Sequence, residues 1–511
     1  MKKQEADVCL VLEGTYPYVA GGVSTWVHQI ITALPELKFA LLYIGADKTQ
    51  KLEEKYEIPS NVVDTKTMFL FDELPRRDRV ASKRPSSARA GVYRAFEGFL
   101  EDFAAPAESE RFTELVTSIQ GSGRAMACAN LWHDREGWEL IQRAYMRGMS
   151  DESFLSFFWT VRFLVQPAWL ALRAGAGLPK AKVYHSLCTG YAGVVAAVAA
   201  RNNDAKFLLS EHGIYVRERL AEIQRADWVP ETPSRRPAVF EELGAFRRLW
   251  VEFFKLLGRI SYDSADHITS LFERNAEIQS AFGAPADKIE VVPNGIRPDD
   301  FAEVGKRRRA LIDANPARKN VGFLGRVVRI KDVKTLVRAA RLVVDEVPDA
   351  KFIIAGPTDE EPEYAAACAE LAEQLGLSES IEFRGPMQRD ELLVETDVML
   401  LTSVSEGLPF VAIESFGASV PVVSTDVGSC GELVMGKADE SPTLGAAGAV
   451  VPVGEPAAIA RAVTKLLTDR SLSDTMGEVG RKRVAAHYDE ADVVERYREL
   501  YTMSDIEGGA G

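Results

Sequence analysis

Short, continuously apolar runs alternate along this chain with stretches whose apolar residues recur at helical spacing. That rhythm predicts parallel strands joined by helices. Residues 8–12 form the first run, and Trp26, Ile30, Ile31 and Leu34 mark one face of the helix that follows. Strands are expected next at 39–45 and 62–70. The alternation then lapses over 72–177, which reads as a long helical insertion. It resumes with a strand at 182–186, a helix rich in Ala and Val at 191–200, and a strand from 206 that leads to Glu211, His212 and Gly213. An irregular stretch over 218–242 precedes a helix (246–262), a strand (266–271), a helix (273–282) and a strand (288–292). Pro293, Asn294 and Gly295 then read as a domain joint.

A second α/β segment opens at 320–325, and Val333, Leu336, Val337, Ala340 and Val343 give the next helix its apolar face. Strands are expected at 352–355, 381–383, 398–401, 420–424 and 449–452. Two doubly wound domains facing a cleft account for this pattern. The first covers 1–293 with the insertion inside it, and the second covers 294–485. A helix over 486–503 is expected to pack back toward the first domain, with 504–511 as a frayed tail.

Within the insertion, 154–172 is long enough to span a bilayer, but Arg162, Gln166 and Pro167 sit in its middle. An arginine near the bilayer centre costs about 2.5–3.5 kcal/mol, so a buried helix pair broken at Pro167 is the better reading. Residues 76–89 hold six basic residues against one acidic, Asp78, and read as a solvated loop able to face an anionic surface.

The 511 residues allow two or three domains, and 46% apolar with 27% charged residues is ordinary for a globular protein. A net charge of −14 argues against a nucleic-acid partner. Five scattered cysteines without a C-x-x-C pair, and no signal peptide, point to a reducing, cytoplasmic setting. The six histidines show no repeated spacing, so no metal site is expected.

Candidate chemistry sits at strand ends. Glu406 hangs off the strand at 397–403, and Glu414 lies eight residues later, about a turn inside a helix that Gly407 and Pro409 introduce. At about 1.5 Å of rise per residue the two carboxylates lie within roughly 12 Å of each other. That suits two grips on one elongated polar ligand better than convergence on a metal. Gly325 and Arg326 end another strand, and Lys331 and Asp332 stand before the next helix. Two cations at a helix start favour a diphosphate. In the first half, Gly21 and Gly22 lie at a helix start that is not a G-x-G-x-x-G fingerprint, and His212 lies at a strand's carboxyl end, where open sheets bind ligands.

Taken in order, Gly21-Gly22, His212-Gly213, the Val292–Ile296 joint, Gly325-Arg326 with Lys331-Asp332, and the Glu406–Glu414 stretch resemble the family-4 retaining glycosyltransferases. The resemblance covers most of 7–45 and 181–500. It implies a GT-B fold: two Rossmann-like doubly wound domains facing a cleft. The insertion, with TYPYVAGGVSTW before it and EHGIYVRER after it, is similar to the PelF-like cytoplasmic transferases of Pel exopolysaccharide synthesis.

By that resemblance Arg326 and Lys331 would bind the diphosphate of a UDP-sugar and stabilise departing UDP without a metal or other cofactor. Glu414 would accept from the ribose, Glu406 would bond the donor sugar, and the Gly407–Leu408 backbone would approach sugar or phosphate. The loop ending at Met387 would take the uracil, His212 would lie near the anomeric carbon, and Gly22 would let the first domain close on the phosphates. The acceptor would be a growing polysaccharide rich in N-acetylgalactosamine, and an inner-membrane synthase and export complex would be the partner. Two rival classes share some of these residues. A nucleotide-sugar epimerase would turn over the UDP-sugar without an acceptor. A non-catalytic UDP-sugar-binding subunit would have no reason to keep cations and acids together at strand ends.

Overall fold

The computed structural model describes residues 5–49, 52–72, 74–83, 89–101, 109–123, 125–175, 177–226, 228–230 and 243–507. The chain divides into two compact units, Met1–Val291 with Tyr497–Gly511, and Val292–Arg496.

In the first unit seven strands form a parallel sheet: β1 (Ala6–Glu13), β2 (Phe39–Gly45), β3 (Val62–Phe69), β4 (Ala181–Ser186), β5 (Lys206–Glu211), β6 (His267–Ser270) and β7 (Ile289–Val291). Their order is β3-β2-β1-β4-β5-β6-β7. The sheet therefore grows one way from β1 and the other way from β4, and the switch between these two strands opens a crevice at their carboxyl ends. Val8, Cys9, Leu10, Val11 and Leu12 are fully buried, as a strand covered on both faces requires.

The described residues of 72–177 are mainly helical, with the longest helix at Phe154–Gly175 and two of equal length at Ser109–Ser122 and Arg135–Gly148. Its side chains join the apolar core that also holds helices Tyr191–Asn203 and Ala245–Ser264. Phe154–Gly175 is one continuous helix, not a pair broken at Pro167. Proline removes one backbone donor, but buried Val165, Trp169, Leu170, Ala171 and Leu172 hold the axis on both sides of it. This helix is long and apolar enough to cross a bilayer, yet half of its apolar window is buried inside the first unit.

The basic stretch is also less open than its composition implies. Asp78 is buried against Trp169 Nε1 at 3.0 Å and Arg173 at 3.3 Å, and Arg89 is buried on Asp134 at 2.6 Å. Residues 84–88 lie outside the described residues. The stretch expected to be irregular after 218 begins inside a helix, Tyr215–Arg225, while 231–242 again lies outside the described residues.

The second unit holds six parallel strands: β8 (Asn320–Leu324), β9 (Lys351–Ala355), β10 (Ile381–Gly385), β11 (Val398–Leu401), β12 (Val422–Thr425) and β13 (Gly448–Val451). Their order is β10-β9-β8-β11-β12-β13, which puts the switch between β8 and β11. A helix at Pro298–Ala314 precedes the sheet, with proline at its start. Gly295 lies against the 489–490 backbone, where a Cβ would come within 2.7 Å of Glu490 Cα. Ile296 exchanges backbone hydrogen bonds with Tyr488 and Glu490, so the joint read from Pro293, Asn294 and Gly295 is pinned within the second unit. The last helix runs Glu490–Glu507, past the expected end at 503, and the division leaves 486–496 with the second unit. Tyr497 and Tyr501 belong to the first unit, where Tyr497 Oη bonds Ser210 and Tyr501 Oη bonds His185 Nδ1.

Candidate active site

In the second unit, adjacency of β8 and β11 brings together two loops that are far apart in sequence. After β8 the chain turns through Gly325 and Arg326 into a short 3-10 turn, Arg329–Lys331. Gly356 makes this possible: a Cβ there would lie 1.9 Å from the Gly325 carbonyl oxygen. Asp332, at φ 45°, caps helix Val333–Glu346 by accepting from the Thr335 amide. The loop after β11 is tied to this turn, since Thr402 Oγ1 donates to the Lys331 carbonyl and the Val404 amide to the Ile330 carbonyl.

The result is a direct contact between two expected site residues. Lys331 Nζ lies 2.5 Å from Glu406 Oε1, and Ser403 Oγ donates to the same oxygen. Their side chains are 21% and 12% exposed, so the pair is partly dry but still open to a ligand. A third loop closes beneath it. Ser429 bonds the Gly407 carbonyl through both its amide and its hydroxyl. Gly428 has φ +54°, and a Cβ there would sit 2.1 Å from the Glu406 carbonyl oxygen. Gly428→Ala is therefore expected to displace the 406–408 backbone and to cost roughly 1–3 kcal/mol of stability, as overpacking does. A lowered thermal midpoint accompanied by weaker ligand binding is the measurable result.

Arg326 stands on the same turn, half exposed, with its guanidinium on Glu360 at 2.5 Å. An exposed pair of this kind is weak, so Arg326 can exchange Glu360 for another anion. Glu414 lies on helix Phe410–Gly417, with Pro409 just before the helix and not at its first position. The cation on Glu414 is Arg389, at 2.9 Å. Burial raises the Glu414 carboxyl, and Arg389 opposes that rise. Met387 lies past the end of β10, two residues before Arg389, where Phe383, Arg384, Pro386 and Met387 line a depression of about 650 Å³. Sequence reasoning missed Ser403, Arg389 and Gly428. Arg389 acts through a partner 25 residues away and Gly428 through backbone approach, so neither carries a local pattern, whereas Ser403 lies only three residues from Glu406 and could have been read beside it.

In the first unit, His212 follows β5 and is buried, its ring 4.8 Å from Trp26 on the helix that Gly22 begins. Among the described residues its Nε2 has no hydrogen-bond partner. Burial pushes the His212 imidazole down to about 4 and, with His212 beside it, His185 down to about 3. Both lie below the ordinary value of 6.5, so below it the unfolded chain binds protons that the folded chain refuses. Stability present at pH 7 is therefore lost as pH falls through 6.5 toward 4, at up to about 1.4 kcal/mol per pH unit for each histidine. Thermal midpoints at pH 7 and pH 5 check this, and His212→Gln is expected to shrink the drop. An equal drop in parent and variant would remove His212 from the account.

At the carboxyl ends of β1 and β2 lies a cavity of about 570 Å³, lined by Glu13, Gly14, Tyr18, Tyr43, Tyr215 and Arg219 among others. Glu13 accepts from Tyr215 Oη at 2.8 Å and from the Ala192 amide at 3.1 Å. Neighbouring Glu211 is enclosed by Thr189, Tyr262, Gln279 and the Tyr215 amide, so its place is structural. Among the described residues no three His, Cys, Asp or Glu side chains gather as metal ligands would.

The model of a family described as "Domain of unknown function (DUF3492)" matches residues 6–287. A second, described as "Glycosyl transferases group 1", matches 318–469. The chain is 30% identical over 244 residues to D-inositol 3-phosphate glycosyltransferase of Corynebacterium urealyticum, a match covering 45% of this chain and 55% of that protein. It spans about half the length of the first curated relatives it matches. Sucrose-phosphate synthase from Thermosynechococcus elongatus is similar in structure, with TM-score 0.57 and 17% identity over 97% of this chain and 98% of the other. HepE of Anabaena in complex with UDP and glucose gives TM-score 0.55 and 14% identity, over 97% of this chain and 99% of the other. At such identities the likeness concerns the fold, and the fold is GT-B.

Proposed function

The chain belongs to the family described as a domain of unknown function (DUF3492), here joined to a glycosyl transferases group 1 domain, and we propose that it is a retaining, metal-independent glycosyltransferase using a UDP-sugar. The observation that carries this reading is the Lys331–Glu406 pair at the switch point of the second sheet. A cation and a carboxylate side by side, backed by a helix start, match the two adjoining parts of such a donor. Lys331 takes the β-phosphate as point charge, and Arg326 leaves Glu360 to hold a second phosphate oxygen. Glu406 turns its free oxygen to hydroxyls of the transferred sugar, with the Gly407 and Leu408 backbone beside it. Glu414, kept in place by Arg389, accepts from the ribose hydroxyls, and the depression at Met387 receives the uracil.

As the bond from the anomeric carbon to the phosphate oxygen breaks, negative charge grows on UDP where Lys331 and Arg326 already stand. Fixed charge of that kind stabilises the transition state without reorganisation. The acceptor hydroxyl forms the new bond on the same face, and its proton passes to the departing phosphate. In the first unit, His212 stays neutral at pH 7, a state able to exchange one hydrogen bond with a sugar hydroxyl, and Gly22 leaves its helix start open to phosphate. The aromatic cavity beside Glu13 suits a sugar of the acceptor, whose apolar ring faces pack on tyrosine.

The finer assignment is to a Pel-type exopolysaccharide rich in N-acetylgalactosamine, made at the cytoplasmic side of an inner-membrane synthase and export complex. It rests on the insertion and the phrases around it. A binding screen of UDP-glucose, UDP-N-acetylglucosamine, UDP-galactose and UDP-N-acetylgalactosamine, with UDP as control, tests both levels. Preference for UDP-N-acetylgalactosamine supports the Pel reading. Preference for another sugar removes that reading and keeps the transferase, and binding of none of the five removes both.

A further inference from the structure

Helices of the insertion and helix Ala245–Ser264 together line a further cavity, of about 610 Å³, that the proposed transfer does not use. Its volume falls in the range of about 300–1,000 Å³ typical of small-molecule sites. Leu115, Phe157, Trp169, Leu257 and Ile260, all buried, are among the side chains that line it. The one polar atom that Trp169 carries is turned away, bonded to Asp78. A sugar or nucleotide would lose its hydrogen bonds in such a space and gain none. A hydrocarbon chain loses nothing, and it fills a void whose cost to the fold grows with its volume.

The lining includes three charged residues. Arg147 is committed to Glu97 at 3.4 Å, and Glu252 to Lys255 at 2.8 Å. Arg248 is exposed and makes no side-chain hydrogen bond or ion pair among the described residues. Apolar walls with one uncommitted guanidinium define an amphiphile with a single anionic head. We propose that this cavity binds the aliphatic chain of an anionic lipid, with its carboxylate or phosphate on Arg248.

The test is titration of the full chain with cis-parinaric acid, whose fluorescence rises in an apolar site. Saturable binding of one equivalent is expected. Displacement by oleate alone identifies a carboxylate ligand, displacement also by oleoyl-lysophosphatidylglycerol identifies a phosphate-headed lipid, and both support the proposal. Arg248→Gln is expected to weaken the acid about tenfold, the loss of one hydrogen bond to a charged group, and to leave its methyl ester unaffected. Ala168→Phe, which fills the space from the middle of its wall, is expected to abolish binding of both. Should that variant fail to keep the parent's thermal midpoint, the Arg248 comparison decides alone. Non-saturable uptake, or equal affinity of parent and Arg248→Gln for the acid, overturns the proposal.

Discussion

Lys331→Met is expected to lower sugar transfer by about 10²–10³-fold, the usual effect of removing one fixed donor from a developing negative charge. Methionine keeps the length and apolar stem of lysine, so the turn after β8 retains its packing and its Thr402 and Val404 backbone bonds. What is lost is the ammonium on Glu406. That carboxylate is 12% exposed and among the described residues keeps only Ser403, so both the variant fold and its affinity for an anion suffer. Loss of one charged hydrogen bond costs about 1.5–3 kcal/mol, which a denaturant melt resolves. A fall in kcat together with kcat/KM is the signature of a group that acts on the departing phosphate, whereas a rise in KM alone indicates ground-state binding only. Transfer within a few-fold of the parent would take Lys331 out of the reaction.

The second large effect is expected at Glu406→Gln. Glutamine can still receive Ser403 Oγ, so the loop keeps that anchor, but it no longer neutralises Lys331. Transfer is expected to fall about 10–100-fold, the value of one charge-assisted hydrogen bond to a sugar hydroxyl. The freed lysine works in the opposite direction on UDP, whose binding is expected to hold or to strengthen. That divergence, weaker transfer with undiminished UDP affinity, separates a sugar contact from general loss of the site. Parallel loss of both would mean that Glu406 acts mainly by holding Lys331 in place.

Much of the strand and helix pattern was legible because buried parallel strands write themselves as unbroken apolar runs, as at 8–12 and 398–401. The places of the candidate groups were legible too, since Arg326, Lys331 and Glu406 stand in the loops after such runs and Glu414 in the helix beyond one. Their pairing was not. Lys331 and Glu406 are 75 residues apart, and they meet because β8 and β11 are neighbours, a fact of strand order that no local pattern states. Arg389 sits on a seven-residue helix too short to show a periodic face, so its bond to Glu414 had no local sign. Gly428 shows only as a glycine among others until the Glu406 carbonyl is found against it. Pro167 misled for a related reason: a proline marks a break in an isolated helix, but side chains buried on both sides of it keep this one continuous. In the basic stretch, counting charges concealed that Asp78 and Arg89 are each buried on a partner in the insertion.

The central claim is that the Lys331 turn holds a diphosphate, and comparing UDP with uridine by equilibrium titration, on parent and Lys331→Met, tests it most directly. The parent is expected to bind UDP at least about tenfold more tightly than uridine, one charged contact being worth that much. The variant is expected to lose most of that margin while its affinity for uridine stays the same. Equal binding of UDP and uridine by the parent, or an unchanged margin in the variant, would contradict the claim.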